Sequence, residues 1–234
     1  MSELTGKVAI VTGAAGNLGR AVCQTLAARG ASIALLGRHA EALEAARAGL
    51  GESAAFAVDL VDPRGLEQTV ADVRARFGRI DILANIAGGF TMGPPLHQTS
   101  DQDWDLMMDL NARSVFNACR AVIPHLLAAG GGRIVNIAAR AALKGQAHMA
   151  PYCAAKAVVV RLTESLADEH RDAGINVNCI LPGTLDTPEN RVAMPDADHG
   201  RWVGTDALAD VVLFLVSNAS RAISGAAIPV YGRS

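Results

Sequence analysis

The sequence predicts an α/β domain built on a doubly wound, seven-stranded parallel sheet. Three observations lead there. Short apolar runs recur without the in-out alternation of a half-exposed strand, as strands buried on both faces require. The stretches between them carry apolar residues at helical spacing. The first run leads into a glycine-rich turn, Thr12-Gly13-Ala14-Ala15-Gly16-Asn17-Leu18-Gly19, which opens a helix. At 234 residues the chain is expected to form one domain spanning residues 1–234, with half its residues hydrophobic and few aromatic, as in layered α/β proteins.

Taken in order, the first strand is Val8-Ala9-Ile10-Val11, and the following helix has Leu18, Val22 and Leu26 on one face and stops at Gly30. Residues 32–36 form the second strand and precede a helix over about 40–49; residues 54–58 form the third. Asp62-Pro63 supplies an N-cap and a first-turn proline to a helix with Leu66, Val70, Val73 and Phe77 in one stripe, ended by Gly78. After the fourth strand (80–84) and a loop rich in Gly and Pro (88–98), Ser100 and Asp103 begin a long helix. That helix is expected to run to about Ala129, kinked or broken at Pro124. The fifth strand is 133–137, a helix covers about 152–172, and the sixth strand is 175–181. Residues 182–204 read as an irregular polar segment bordering the substrate, followed by a helix (206–217) and a last strand (227–230).

Basic side chains number 21 and acidic ones 23, a net charge of −2 that recommends neither nucleic acid nor an anionic membrane as partner. No apolar run approaches the roughly 20 residues of a membrane span. The opening MSELTGKVAIVTG enters a strand without a signal-peptide pattern, which predicts a cytoplasmic protein. Cys23, Cys119, Cys153 and Cys179 are scattered with no C-x-x-C pair and read as buried thiols, not as metal ligands or disulfides.

The turn at 12–19 departs from G-x-G-x-x-G but does the same work. Its glycines, Gly13 among them, let the backbone approach a diphosphate at the N-terminus of the helix that Asn17 and Leu18 begin. Alone, such a turn serves nucleotide binding or mere tight turning. Two further features favour the nucleotide. Asp59, with Leu60, ends the third strand where an adenine is met, and Asn85-Ile86-Ala87-Gly88 ends the fourth with small residues where a sugar passes closely. A carboxylate after the second strand would favour a ribose diol and an arginine a 2′-phosphate; Gly37-Arg38 stands there, so NADP(H) is expected over NAD(H).

These segments together, with Asn111, Tyr152-Cys153-Ala154-Ala155-Lys156 and Pro182-Gly183-Thr184-Leu185-Asp186-Thr187, resemble the short-chain dehydrogenase/reductase family over essentially the whole chain. The resemblance implies a Rossmann-type sheet, NAD(P)(H), and hydride transfer to or from a carbonyl or similar carbon of a small-molecule substrate. It implies a homotetramer or homodimer built from the helices at 100–129 and 152–172. Tyr152 is then the proton donor or acceptor. Lys156 holds the ribose hydroxyls and lowers the tyrosine pKa, and Asn111 supports the water chain that feeds Lys156. Ile137 lies beside the nicotinamide; Pro182, Gly183 and Thr187 bind that end, Thr187 through the carboxamide. The pair has its own logic, because a phenol near pKa 10 is a poor acid–base catalyst until a neighbouring ammonium shifts it.

One family member is missing. The serine normally found about 13 residues before the tyrosine is here Ala139, between Ala138 and Arg140. Loss of one such donor slows reduction of an unpolarised carbonyl by roughly 10²- to 10³-fold. Either the acceptor is an imine, a quinonoid or another activated group, or the protein is a catalytically weak or silent dinucleotide binder with a regulatory or structural role. The segment from Leu185 to Asp198, with Trp202, and Ala87-Gly88-Gly89-Phe90 resemble dihydropteridine reductases, which lack the serine and reduce a quinonoid pterin. Arg140, Gln146 and His148 either face the substrate or are solvated; Phe90, Met149, Met194 and Trp202 either wall the pocket or pack.

Overall fold

The computed structural model describes residues 3–233; the outermost ends of the expected 1–234 domain lie outside the described residues. The chain runs β1 (Val8–Thr12), α1 (Asn17–Ala28), β2 (Ser32–Gly37), α2 (Ala40–Arg47), β3 (Ser53–Ala57), α3 (Pro63–Phe77), β4 (Ile82–Asn85), α4 (Asp101–Met108) and α5 (Ser114–Ala128). It continues with β5 (Gly132–Ile137), α6 (Ala150–Glu169), β6 (Ile175–Pro182), β7 (Leu185–Asp186), α7 (Pro188–Ala193), β8 (Val203–Gly204), α8 (Thr205–Val216) and β9 (Ala227–Val230). The main sheet has seven strands in the order β3-β2-β1-β4-β5-β6-β9, all pairings parallel. Every residue of β1 is buried, as its apolar run demands.

Two apolar layers sandwich the sheet. Val8, Ile10, Leu83 and Ile134 point toward α3, α5 and α6, while Ala9, Val11, Ile33 and Val135 point toward α1 and α8. The strand order reverses between β1 and β4, and the crevice beyond their carboxyl ends is where such sheets bind ligands. Local signals hold the helices in register. Asp62 accepts from the Arg64 amide, Pro63 fills the first turn, and Gly78 closes α3 at φ +80°. All four cysteines are free and buried, and among the described residues no helix is long and apolar enough to cross a membrane.

Two expectations require correction. The long helix is interrupted, but not at Pro124, which sits inside an unbroken α5. The interruption is a π-helical segment at Asp109–Arg113. There the Asn111 amide donates to Met107 O at 3.0 Å and the Ser114 hydroxyl to Leu110 O at 2.9 Å, while Asn111 is also clamped to Gly89 of another loop, which holds this turn of the helix away from regular α geometry. The segment at 182–204 is also more ordered than its composition suggests. Strands β7 and β8 pair in parallel, and α7 is capped by the Thr187 hydroxyl, which accepts from the Asn190 amide at 3.2 Å.

Candidate active site

A groove of about 520 Å³ opens at the carboxyl ends of β1 to β4. Gly13, Asn17, Leu18, Arg38, Asp59, Leu60, Ala87, Gly88 and Thr187 line it, nine of the positions singled out in the sequence. Leu106, Asp109 and Leu110 line it too; no motif marked them, and Asp109 and Leu110 belong to the π-helical segment.

The groove's floor depends on close backbone approach. Thr12 is buried, and its hydroxyl accepts from the Ile86 and Ala87 amides at 3.1 and 3.2 Å, tying the end of β1 to the turn after β4. Gly13 sits at φ +63°, and a Cβ there would lie 2.8 Å from Ala87 Cα. Gly16 caps α1 without a side-chain hydrogen bond, and the first turn carries no acid, which leaves the first amides of α1 for an anion. This cradle fits a dinucleotide diphosphate. Arg38 is exposed at the groove's edge, with no carboxylate at the end of β2 beside it.

Asn85 does not present its side chain to the groove. Its amide donates to Asn136 Oδ1 at 2.8 Å, the Asn136 amide donates to Thr163 Oγ1 at 2.9 Å, and the Thr163 hydroxyl donates to Val159 O at 2.8 Å. This buried chain of polar side chains bolts α6 to the ends of β4 and β5. Ile137, Pro182 and Gly183 also lie outside the groove lining: Ile137 and Pro182 end β5 and β6, and the Gly183 amide donates to Val230 O at 2.9 Å.

Helix α6 presents Tyr152 and Lys156 one turn apart. Lys156 is only 4% exposed, and its ammonium donates to Ile137 O at 2.9 Å. The Asn111 amide donates to Gly89 O at 3.0 Å, and its oxygen accepts from the Gly89 amide at 3.2 Å. A Cβ on Gly88 would stand 2.9 Å from Asn111 Oδ1 and 3.2 Å from Lys156 Nζ, so both groups converge on the bare face of that glycine.

Around the phenol the surroundings are apolar. Ala139, Ala141 and Cys153 form a small buried cluster against which Met149 and Tyr152 pack, and the Phe90 ring meets that of Tyr152 at 5.0 Å and 77°. Phe90 and Met149 therefore wall this site, whereas Trp202 packs on His199 with ring centres 4.4 Å apart. His148 has φ +63°; its carbonyl accepts from the Gly93 amide at 2.9 Å, and its Nδ1 donates to Gly93 O at 3.2 Å, so it staples two loops together. Arg140 lies over the ring of Tyr231 at 5.6 Å.

The sequence pattern described as "short chain dehydrogenase" matches residues 7–198. The chain belongs to that family. It is 37% identical to a D-threitol dehydrogenase of Mycolicibacterium smegmatis, covering 98% of this chain and 93% of the relative. It is 34% identical to the 3-oxoacyl-[acyl-carrier-protein] reductase FabG of Escherichia coli, covering 97% and 96%. Among solved structures, an NAD+-bound xylitol dehydrogenase superposes with a TM-score of 0.92 at 30% identity, covering 98% of this chain and 99% of that one. The protein is thus an NAD(P)-dependent short-chain dehydrogenase/reductase with a small-molecule substrate.

Within this short-chain dehydrogenase, one expected effect is reversed. Burial pushes the Tyr152 phenol up to about 12, with Cys153 adding to the rise, and burial brings Lys156 down to about 8. The Lys156 ammonium is 5.8 Å from the phenol ring centre and committed to Ile137 O. Burial thus sets the direction of the phenol's shift.

Proposed function

We propose that this short-chain dehydrogenase/reductase reduces an already activated acceptor, an imine or a quinonoid such as a quinonoid dihydropterin, with NADPH preferred over NADH. The observation that carries the reading is the pairing of Ala139 with Tyr152. The place expected to hold a hydroxyl holds a methyl group in an apolar cluster, while Tyr152 and Lys156 stand one turn apart on α6 and Lys156 and Asn111 converge on Gly88. Tyr152 then acts alone on the acceptor heteroatom, supplying its proton. An unactivated ketone lacks its second donor in such a site. Lys156 and Ile137 mark where the ribose and nicotinamide would lie, with Gly183 and Thr187 toward the carboxamide; the bound dinucleotide supplies the hydride. Asp59 and Leu60 would meet the adenine. Arg38, with no acid beside it, supports the 2′-phosphate.

Assembly as a homodimer or homotetramer is part of the reading. Phe116, Val158 and Leu162 line a shallow apolar groove between α5 and α6, and Trp104, Leu106 and Phe116 are all exposed there or on α4.

The test follows NADPH and NADH oxidation with quinonoid dihydropterin, cyclic imines, quinones and simple ketones. Turnover is expected for activated acceptors, with Tyr152→Phe losing about 10²- to 10⁴-fold while still binding the cofactor. Binding without Tyr152-dependent turnover of any acceptor leaves a silent dinucleotide-binding protein instead. Ala139 has extended backbone angles that a serine adopts freely. A large gain in ketone reduction by Ala139→Ser would mark a carbonyl reductase that has lost its donor; little change or a loss supports the activated acceptor.

A further inference from the structure

The segment from β7 to β8, which reaches the groove at Thr187, is an internally braced unit. Within it, Arg191 donates twice to the Asp186 carboxylate, at 2.6 and 2.8 Å. The Asn190 amide donates to Leu185 O at 2.8 Å, and His199 Nε2 to Met194 O at 2.9 Å. From this unit one carboxylate reaches across to the glycine-rich turn: Glu189 Oε2 accepts from Asn17 Nδ2 at 2.7 Å.

Asn17 is the first residue of α1, the helix whose leading amides have no side-chain cap and no acid in the first turn. The partial positive charge of that helix end attracts anions. The carboxylate that reaches the first residue of that helix is Glu189, through the Asn17 side chain. The backbone amide at the start of α7 holds its carboxyl below the ordinary range, helped by hydrogen bonds from Thr187 and Asn17, so it is charged at neutral pH. Its neighbour Arg191 is already committed to Asp186.

We infer that Glu189 is an internal competitor for the diphosphate subsite and so sets cofactor affinity. In the free protein its carboxylate holds Asn17 and ties α7 to the start of α1; an incoming dinucleotide must break that contact and seat two phosphate charges beside a carboxylate. The inference rests on the diphosphate lying at the N-terminus of α1. Because the diphosphate is common to both dinucleotides, Glu189 weakens NADH and NADPH by the same factor, whereas Arg38 distinguishes them.

The experiment measures cofactor affinity and association rate by nucleotide fluorescence, with no substrate present, for the native protein, Glu189→Gln and Glu189→Ala. At low ionic strength both variants are expected to bind NADH and NADPH more tightly by roughly three- to tenfold, through faster association. In 0.5 M salt the gain shrinks toward unity, as expected for exposed charges. Amide hydrogen exchange of residues 188–193 in the free protein should rise in Glu189→Ala, where the contact is lost. A separate melting curve shows that each variant is folded. Unchanged or weaker binding in either variant overturns the inference while leaving the nucleotide site intact. A native protein that binds neither dinucleotide would overturn that site as well.

Discussion

At the proposed catalytic centre the spacing between groups is set by an absence, the missing Cβ of Gly88. Asn111 Oδ1 and Lys156 Nζ both approach the place a methyl group would occupy, at 2.9 and 3.2 Å. Neither can retreat easily: the Asn111 amide is held by Gly89 O and Met107 O, and Lys156 by Ile137 O. Gly88→Ala is therefore expected to displace one of them and cost about 1–3 kcal/mol of stability through overpacking. With the lysine or its support moved by a fraction of an ångström, kcat/KM should fall by as much as about 10²-fold. A melting curve and steady-state kinetics on the same preparation check both. A variant with native activity would show that the lysine and Asn111 need not sit against a bare backbone.

At the scale of elements, the strands and the glycine-rich turn were legible because each depends on local pattern. An uninterrupted apolar run such as Val8-Ala9-Ile10-Val11 has only the middle of a sheet to go to. The π-helical segment was not legible, because its cause is tertiary. Asn111 at 0% exposure donates to Met107 O one turn back and clamps Gly89 from a different loop, and no local rule joins those partners. The side-chain partners of Asn85 were not legible for a related reason. Its place at a strand end suggested the ligand, yet its amide serves the buried chain through Asn136 to Thr163. Asn111→Ala is expected to cost about 2–4 kcal/mol, since it removes three hydrogen bonds of a buried side chain, two to Gly89 and one to Met107 O. That corresponds to a Tm lower by roughly 4–16 °C at this chain length. Hydrogen exchange should rise at residues 88–90 and 107–113 together. A rise confined to one of the two stretches would mean that Asn111 does not couple them.

Across the whole molecule, the sheet gathers its unusual residues at the carboxyl ends of its strands, and stability is given up there. Lys156 is the clearest case. Its ammonium is nearly inaccessible and has no carboxylate partner among the described residues, and burial brings its pKa from the ordinary 10.5 down to about 8. The unfolded chain holds that proton up to about pH 10.5, whereas the folded protein releases it near pH 8. The destabilisation is therefore fully present below pH 8 and is relieved as the pH rises from 8 toward 10.5. Tyr152 acts oppositely. Its pKa, raised from 10 to about 12, gives stability that is lost as the pH rises through that higher window. Replacing Lys156 by methionine, of similar length and without charge, should stabilise the free protein at pH 7 by about 1–3 kcal/mol, since it removes a buried unpaired charge. The advantage should shrink steadily toward pH 10 as the native lysine loses its proton. The same variant should bind cofactor more weakly and turn over more slowly, because the ammonium is the group proposed to hold the ribose. Urea unfolding of both proteins at pH 7, 8, 9 and 10 measures the difference directly. A constant difference across that range, or a less stable variant at pH 7, would mean that Lys156 is not held at the expense of folding stability.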